Sequence, residues 1–195
     1  MSTFQVDLRG MVDLLSRNLY SGPRVYIREL LQNGLDAIEA RSALDPECPR
    51  RVTITIEGRT LKCRDSGIGL TEEEAAGLLS TIGASSKRDE LGMARSDFLG
   101  QFGIGMLSCF MISDSITVYS RSAKSPDSPT VIWEGKTEGT YTTQPLSASD
   151  PHNLGEAGTE VVLEAHPGEP WIDPDTVRAL VDAFASLLPI SIEVR

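Results

Sequence analysis

The chain has 195 residues, 40% of them hydrophobic, which suits one domain with a buried core. Acidic residues outnumber basic ones 28 to 18, a formal charge of -10, and this argues against gripping a nucleic-acid backbone, which needs Lys and Arg stripes. Phosphate ligands stay open, because backbone N–H groups and a metal can hold phosphate without a basic surface.

Residues 4–6 suit a short strand. Over residues 8–20, Leu8, Met11, Val12, Leu14, Leu15 and Leu19 recur with a helical period. Ser21-Gly22-Pro23 breaks that helix, and Pro23 suits the first turn of a second one, predicted to about residue 43. Val52, Ile54 and Ile56 alternate with Thr53 and Thr55, and Leu61-Lys62-Cys63 alternates likewise across Glu57-Gly58-Arg59, which predicts a β-hairpin. Its second strand runs into DSGIGL, residues 65–70. Thr71 then caps a helix, with Glu74 in the capping-box position and an end near residue 83.

Residues 83–100 mix glycine, small and polar residues with scattered Leu91, Met93, Phe98 and Leu99. A loop of that length is usually functional or mobile. GQFGIGM follows at 100–106, then a short apolar helix to about residue 112. Strands are predicted at 115–121, 130–134, 139–143 and 159–165, with a polar loop before the last. Asp173 caps a closing helix to about residue 188, and residues 190–194 suit a final strand. Helices, a hairpin, helices and a meander predict an α+β fold: one mixed, mostly antiparallel sheet with helices on one face, undivided over residues 1–195.

Cys48, Cys63 and Cys109 show no C-x-x-C spacing, and the chain has two histidines, so reduced thiols are expected rather than disulfides or zinc. MSTFQVDLRG lacks the basic opening and apolar stretch of a signal peptide. No apolar run nears the roughly 20 residues that span a bilayer. A cytoplasmic protein without membrane contact is the expectation.

Three segments carry groups suited to chemistry. In RELLQNGLDA, Glu29, Asn33 and Asp36 share one helix face among leucines. Asn33 suits a single oxygen ligand to Mg²⁺, Glu29 a base for water, and Asp36 a group orienting both. Taken alone, the trio is better read as a solvated stripe. In DSGIGL, Gly67 and Gly69 can supply positive φ for a tight turn and nothing more. The functional version lets a flat ligand reach the backbone, with Asp65 accepting from an exocyclic amine. GQFGIGM gathers three glycines ahead of a helix, as a phosphate cradle or a glycine-rich connector would, and it fits neither the Walker pattern nor G-x-G-x-x-G. Lys87 could reach a γ-phosphate or be a solvated loop lysine, and Thr159 could bond a base or finish a strand end.

The order of these segments resembles the GHKL ATPase superfamily, and within it the nucleotide-binding domain of heat-shock protein 90. The wider matches are NLYSGPRVYIRELLQNGLDA, DSGIGLTEEE, LLSTIGASSK and FLGQFGIGMLSCFMISDSITVYSR. The resemblance implies a two-layer α/β sandwich, the Bergerat fold, binding ATP with Mg²⁺ between helices and sheet. It implies Glu29 as general base, Asn33 as Mg²⁺ ligand and Asp36 beside them. Asp65 would receive the adenine amine, Gly69 and Leu70 would line the base, and Thr159 would support it through water. Gly100, Gln101, Phe102, Gly103, Ile104 and Gly105 would wrap the phosphates, with Lys87 in a lid over about residues 83–100.

The chain departs from the family where Ala40 and Ala84 replace common lysines and Met106 a common phenylalanine. The resemblance further implies a slow ATPase within a longer, homodimeric chaperone that acts on unfolded client proteins. A nucleotide-gated binding module with little hydrolysis is the alternative. A relative acting on DNA, as MutL or gyrase does, fits the charge less well.

Overall fold

The computed structural model describes residues 23–80, 105–125, 127–186 and 188–195. The expected strand at 4–6, the helix at 8–20 and the lid with Lys87 and Gly100, Gln101, Phe102, Gly103 and Ile104 lie outside the described residues.

Helix α1, Val25–Ser42, forms over the span that the helical period predicts. It buries Tyr26, Ile27, Leu30, Leu31, Gly34, Leu35 and Ile38, the i, i+3/i+4 stripe of a core-facing helix. Gln32 and Glu39 stay exposed, while Glu29, Asn33 and Asp36 run along the half-buried flank. Strands β1, Arg51–Glu57, and β2, Thr60–Asp65, pair antiparallel with Glu57 opposite Thr60, so the loop is Gly58-Arg59 alone. Gly58 has φ 61°, and no described non-glycine residue has positive φ, the sign pattern of a II′ turn.

Helix α2, Glu72–Ser80, opens on the predicted capping box. Thr71 N donates to Glu74 Oε2 at 2.9 Å and Glu74 N donates to Thr71 Oγ1 at 3.2 Å. The remaining elements are β3, Ser113–Arg121, β4, Val131–Lys136, β5, Tyr141–Pro145, β6, Gly158–Ala165, helix α3, Pro174–Ala185, and β7, Ser191–Val194. Asp173 caps α3, accepting from Thr176 N at 3.1 Å. Pro145 falls on the edge strand β5, where a missing N–H costs no ladder bond.

The sheet order is β5-β4-β3-β6-β2-β1-β7, and among the described strands only β1 with β7 is parallel. The α+β architecture expected from the sequence is therefore present. Pairing sets the core in rows. Leu61, Leu163 and Ile116 lie side by side on β2, β6 and β3, and Cys63, Val161, Val118 and Trp133 form the next row. Helices α1 and α3 and a segment at residues 105–111 close over this face. One step further, the period of two carries Asp65, Thr159 and Ser120 onto the same face. The core face of the sheet thus ends in a polar row beneath α1.

Leu163 is fully buried at the centre of the sheet. Leu163→Ala is expected to cost about 2–5 kcal/mol of unfolding free energy in a denaturant titration, while circular dichroism still reports the native fold.

Candidate functional site

Asp65 sits where β2 leaves the sheet. Its Oδ1 accepts from Gly67 N at 2.7 Å and from Thr159 N at 3.2 Å. Among the described residues no donor reaches Oδ2. One oxygen is therefore fixed by the backbone and the other is free to accept. Burial on the core face pushes the carboxyl up to about 6, against the pull of the Gly67 and Thr159 N–H groups and the Arg64 and Arg41 guanidiniums.

The turn after Asp65 is held by close backbone contacts. Gly34 of α1 packs closely on the sheet, because a Cβ there would lie 3.0 Å from Val52 Cγ2 and 3.4 Å from Asp65 Cβ. The helix can thus lie directly over the carboxylate. Ile68 N donates to Ala37 O at 2.9 Å, and Ala123 N donates to Ile68 O at 2.7 Å. Gly69 has φ 63° and abuts Arg121 O, so both its conformation and its space require glycine. Leu70 N donates to Ser120 Oγ at 2.8 Å, and Ser120 Oγ also meets Thr159 Oγ1 at 2.9 Å. Asp65, Gly69 and Leu70 of one segment and Thr159 of another converge at this one place.

The other end of the site lies along α1. Glu29 Oε2 faces Gly105, so closely that a Cβ on Gly105 would collide with it. Its Oε1 accepts from Arg28 Nη2 at 2.7 Å. Asn33, one turn on, is half-buried, and its side chain has no hydrogen-bond partner among the described residues. An uncommitted amide oxygen suits a hard cation that draws most of its shell from water and phosphate. No described group of three or more His, Cys, Asp or Glu side chains offers a denser metal site. Asp36 is bonded within its own helix, accepting from Gln32 Nε2 at 2.7 Å, and not to Glu29 or Asn33. Burial raises its carboxyl above the usual range.

The segment after the glycines is the short helix that the sequence predicts, tightly wound. Residues Gly105–Met111 form a 3₁₀ helix and not an α-helix. Ser108 Oγ donates to Gly105 O at 2.6 Å and Ile112 N donates to Cys109 O at 3.2 Å, both three-residue spans. Ser113 already belongs to β3, and the longer rise of a 3₁₀ turn carries the chain to the sheet in fewer residues.

Two residues of the site are not among the sequence candidates. Ser120 is buried and links Leu70 N, Gly158 O and Thr159 Oγ1. Its signal is present in the sequence, since it continues the inward series Ile116, Val118 on β3. Arg41 reaches the back of the DSGIGL turn, and its signal is only its position seven residues after Gly34.

Residues 20–159 match the family described as histidine kinase-, DNA gyrase B- and HSP90-like ATPase. The chain belongs to that family. The matched span runs from before Glu29 to Thr159 and so holds every candidate residue of this ATPase-family site. The chain is also similar to the protein named chaperone protein HtpG from several bacteria. The one from Yersinia pestis is 31% identical over 211 residues, covering 98% of this chain and 33% of that protein. Those from Shigella dysenteriae serotype 1 and Escherichia coli O1:K1 are 30% and 31% identical, again over 98% of this chain. The chain spans about a third of the length of these curated relatives.

The raised carboxyl of Asp65 has a consequence for stability. The folded form holds its proton up to about pH 6, against an ordinary value of 3.8. Its contribution is fully present below the ordinary value and is lost as pH rises through about 6, so the charged carboxylate weakens the ligand-free fold at neutral pH. Asp65→Asn is expected to raise unfolding free energy at pH 7.5 by on the order of 2–3 kcal/mol, because the amide carries no charge to bury. The gain should shrink to nothing near pH 4. Denaturant melts at the two pH values measure this, and an equal effect at both would contradict the assignment.

Proposed function

We propose that this chain binds ATP with Mg²⁺ between α1 and the DSGIGL turn, and hydrolyses it, as the nucleotide-handling part of an HtpG-like chaperone. The observation that carries the reading is Asp65. Its Oδ1 is anchored by two backbone N–H groups, which leaves Oδ2 as a fixed acceptor in the site of an ATPase-family fold. An exocyclic amine of adenine is the donor such an acceptor selects. Gly69, Leu70 and Thr159 surround that position, and Thr159 Oγ1, already bonded to Ser120, keeps capacity for a bridging water.

The phosphates would extend along α1 toward Gly105 and the glycines before it. Asn33 would hold Mg²⁺, which when bound neutralises charge on the phosphate oxygens. Glu29 Oε2, facing Gly105, would take a proton from a water as its oxygen bonds the γ-phosphorus and the bond to the ADP oxygen breaks. Asp36 belongs to the same helix flank and supports it through Gln32. In this reading Lys87 and Gly100, Gln101, Phe102, Gly103 and Ile104 complete the phosphate side.

The relatives named as chaperones support a wider role in protein folding. Unfolded proteins as partners and a homodimer as the working assembly belong to the proposal. A cytoplasmic location belongs to the same proposal. No described helix is long and apolar enough to cross a membrane.

Titration calorimetry with ATP, with and without Mg²⁺, tests the binding. Wild type is expected to bind, and more tightly with Mg²⁺. Asp65→Asn is expected to lose detectable binding, because Oδ1 stays on its two N–H donors and the new amide nitrogen faces the adenine amine. Unchanged affinity would refute the adenine assignment. Glu29→Ala is expected to keep affinity and lower turnover by roughly 10²–10⁴-fold, the span of a positioned base. Turnover at the wild-type rate would remove Glu29 from that role.

A further inference from the structure

We propose that Arg41 is a positioning residue for nucleotide recognition, clamping the Asp65 turn to the start of β6 from behind; this rests on the nucleotide reading above. Helix α1 presents Gly34, Ala37 and Arg41 at i, i+3 and i+7, so all three face the same side. Gly34 lies over Asp65, and Ala37 lies against Gly67 and accepts from Ile68 N. Arg41 completes the stripe. Its Nη1 donates to Ser66 O at 3.0 Å and to Ala157 O at 3.2 Å. Ser66 follows Asp65, and Ala157 stands two residues before Thr159. One guanidinium nitrogen therefore joins the two backbone segments whose contact, Thr159 N to Asp65 Oδ1, fixes the free oxygen.

The clamp also sets the field at the carboxylate. The groups facing Asp65 are Arg41 from α1, the Arg64 guanidinium and Cys63 thiol from its own strand, the Val52 side chain from β1 and the Thr159 N–H from β6. Arg64 commits Nη2 to Glu156 O at 2.9 Å, just before Ala157. Two arginines thus brace the junction: Arg64 ties its own strand to Glu156, and Arg41 joins Ser66 to Ala157 from α1. A role confined to the end of α1 would need neither carbonyl, since the Arg41 backbone already accepts from Leu44 N and Asp45 N.

The test is Mg²⁺–ATP affinity by calorimetry from pH 5 to 8, for wild type, Arg41→Gln and Arg41→Lys. Wild-type affinity is expected to fall as pH drops through about 6, where Asp65 takes up its proton. Arg41→Gln should bind roughly tenfold more weakly at pH 7.5, the loss of one charge-assisted hydrogen bond. Its affinity midpoint should also move up by about half a pH unit, because an attractive charge has gone. Arg41→Lys should keep the wild-type midpoint and lose roughly threefold in affinity, since an ammonium keeps the charge without the planar fork.

An unmoved midpoint in Arg41→Gln overturns the proposal whatever its affinity, for a strut alone would leave the pH profile in place. Should Arg41→Gln not fold, Arg41→Lys decides: wild-type affinity overturns the proposal, and a threefold loss with an unmoved midpoint upholds it. Absence of ATP binding by wild type would instead refute the nucleotide reading itself.

Discussion

A carboxylate placed on the core face of a sheet governs this molecule. Asp65 follows Leu61 and Cys63 in the inward series of β2, so the pleat that buries two apolar side chains also carries a charge under α1. Such a charge is costly unless hydrogen-bonded. Here two backbone donors satisfy one oxygen, and among the described residues no donor reaches the other. In the proposed nucleotide reading, a ligand donor at that oxygen would relieve the cost. Binding energy and folding energy would then be coupled at one side chain.

The surrounding backbone is arranged to permit that placement. Gly34 lets α1 lie on Asp65, Gly69 lets the turn reach the Arg121 carbonyl, and Gly158 lets β6 begin against the Asp65 carbonyl. Each removes a Cβ where two chain segments approach closely. Ser120 then ties Leu70 N and the Thr159 hydroxyl together beneath the turn. Strands, turn and helix share these contacts, so several segments hold the acceptor in place. Glu29 and Asn33 lie along the same helix that covers Asp65, which joins the proposed chemical end to the proposed recognition end.

Several elements are legible in the sequence from local signals. Alternation marks the hairpin, Thr71 and Glu74 mark the start of α2, and Asp173 marks α3, each because the cause lies within a few residues. The 3₁₀ winding of residues 105–111 is not legible, because it follows from how soon the chain must enter β3. The trio on α1 is legible as a face but not as a unit. Asp36 is taken by Gln32 within the helix, whereas Glu29 meets Gly105, 76 positions away in sequence (105 − 29).

The sequence by itself determined most of the described strands and helices, the family to which the order of motifs pointed, and the identity of Glu29, Asn33, Asp65 and Gly69 as candidates. Periodicity, capping and glycine spacing are local, so they can be read in one dimension. Only the tertiary structure decided which oxygen of Asp65 is held by the backbone, that Ser120 and Arg41 reach the turn after Asp65, and that Glu29 faces Gly105. Those facts depend on strand register and on the approach of α1 to the sheet. Both are set by packing among residues far apart in the chain, which no short window of sequence contains.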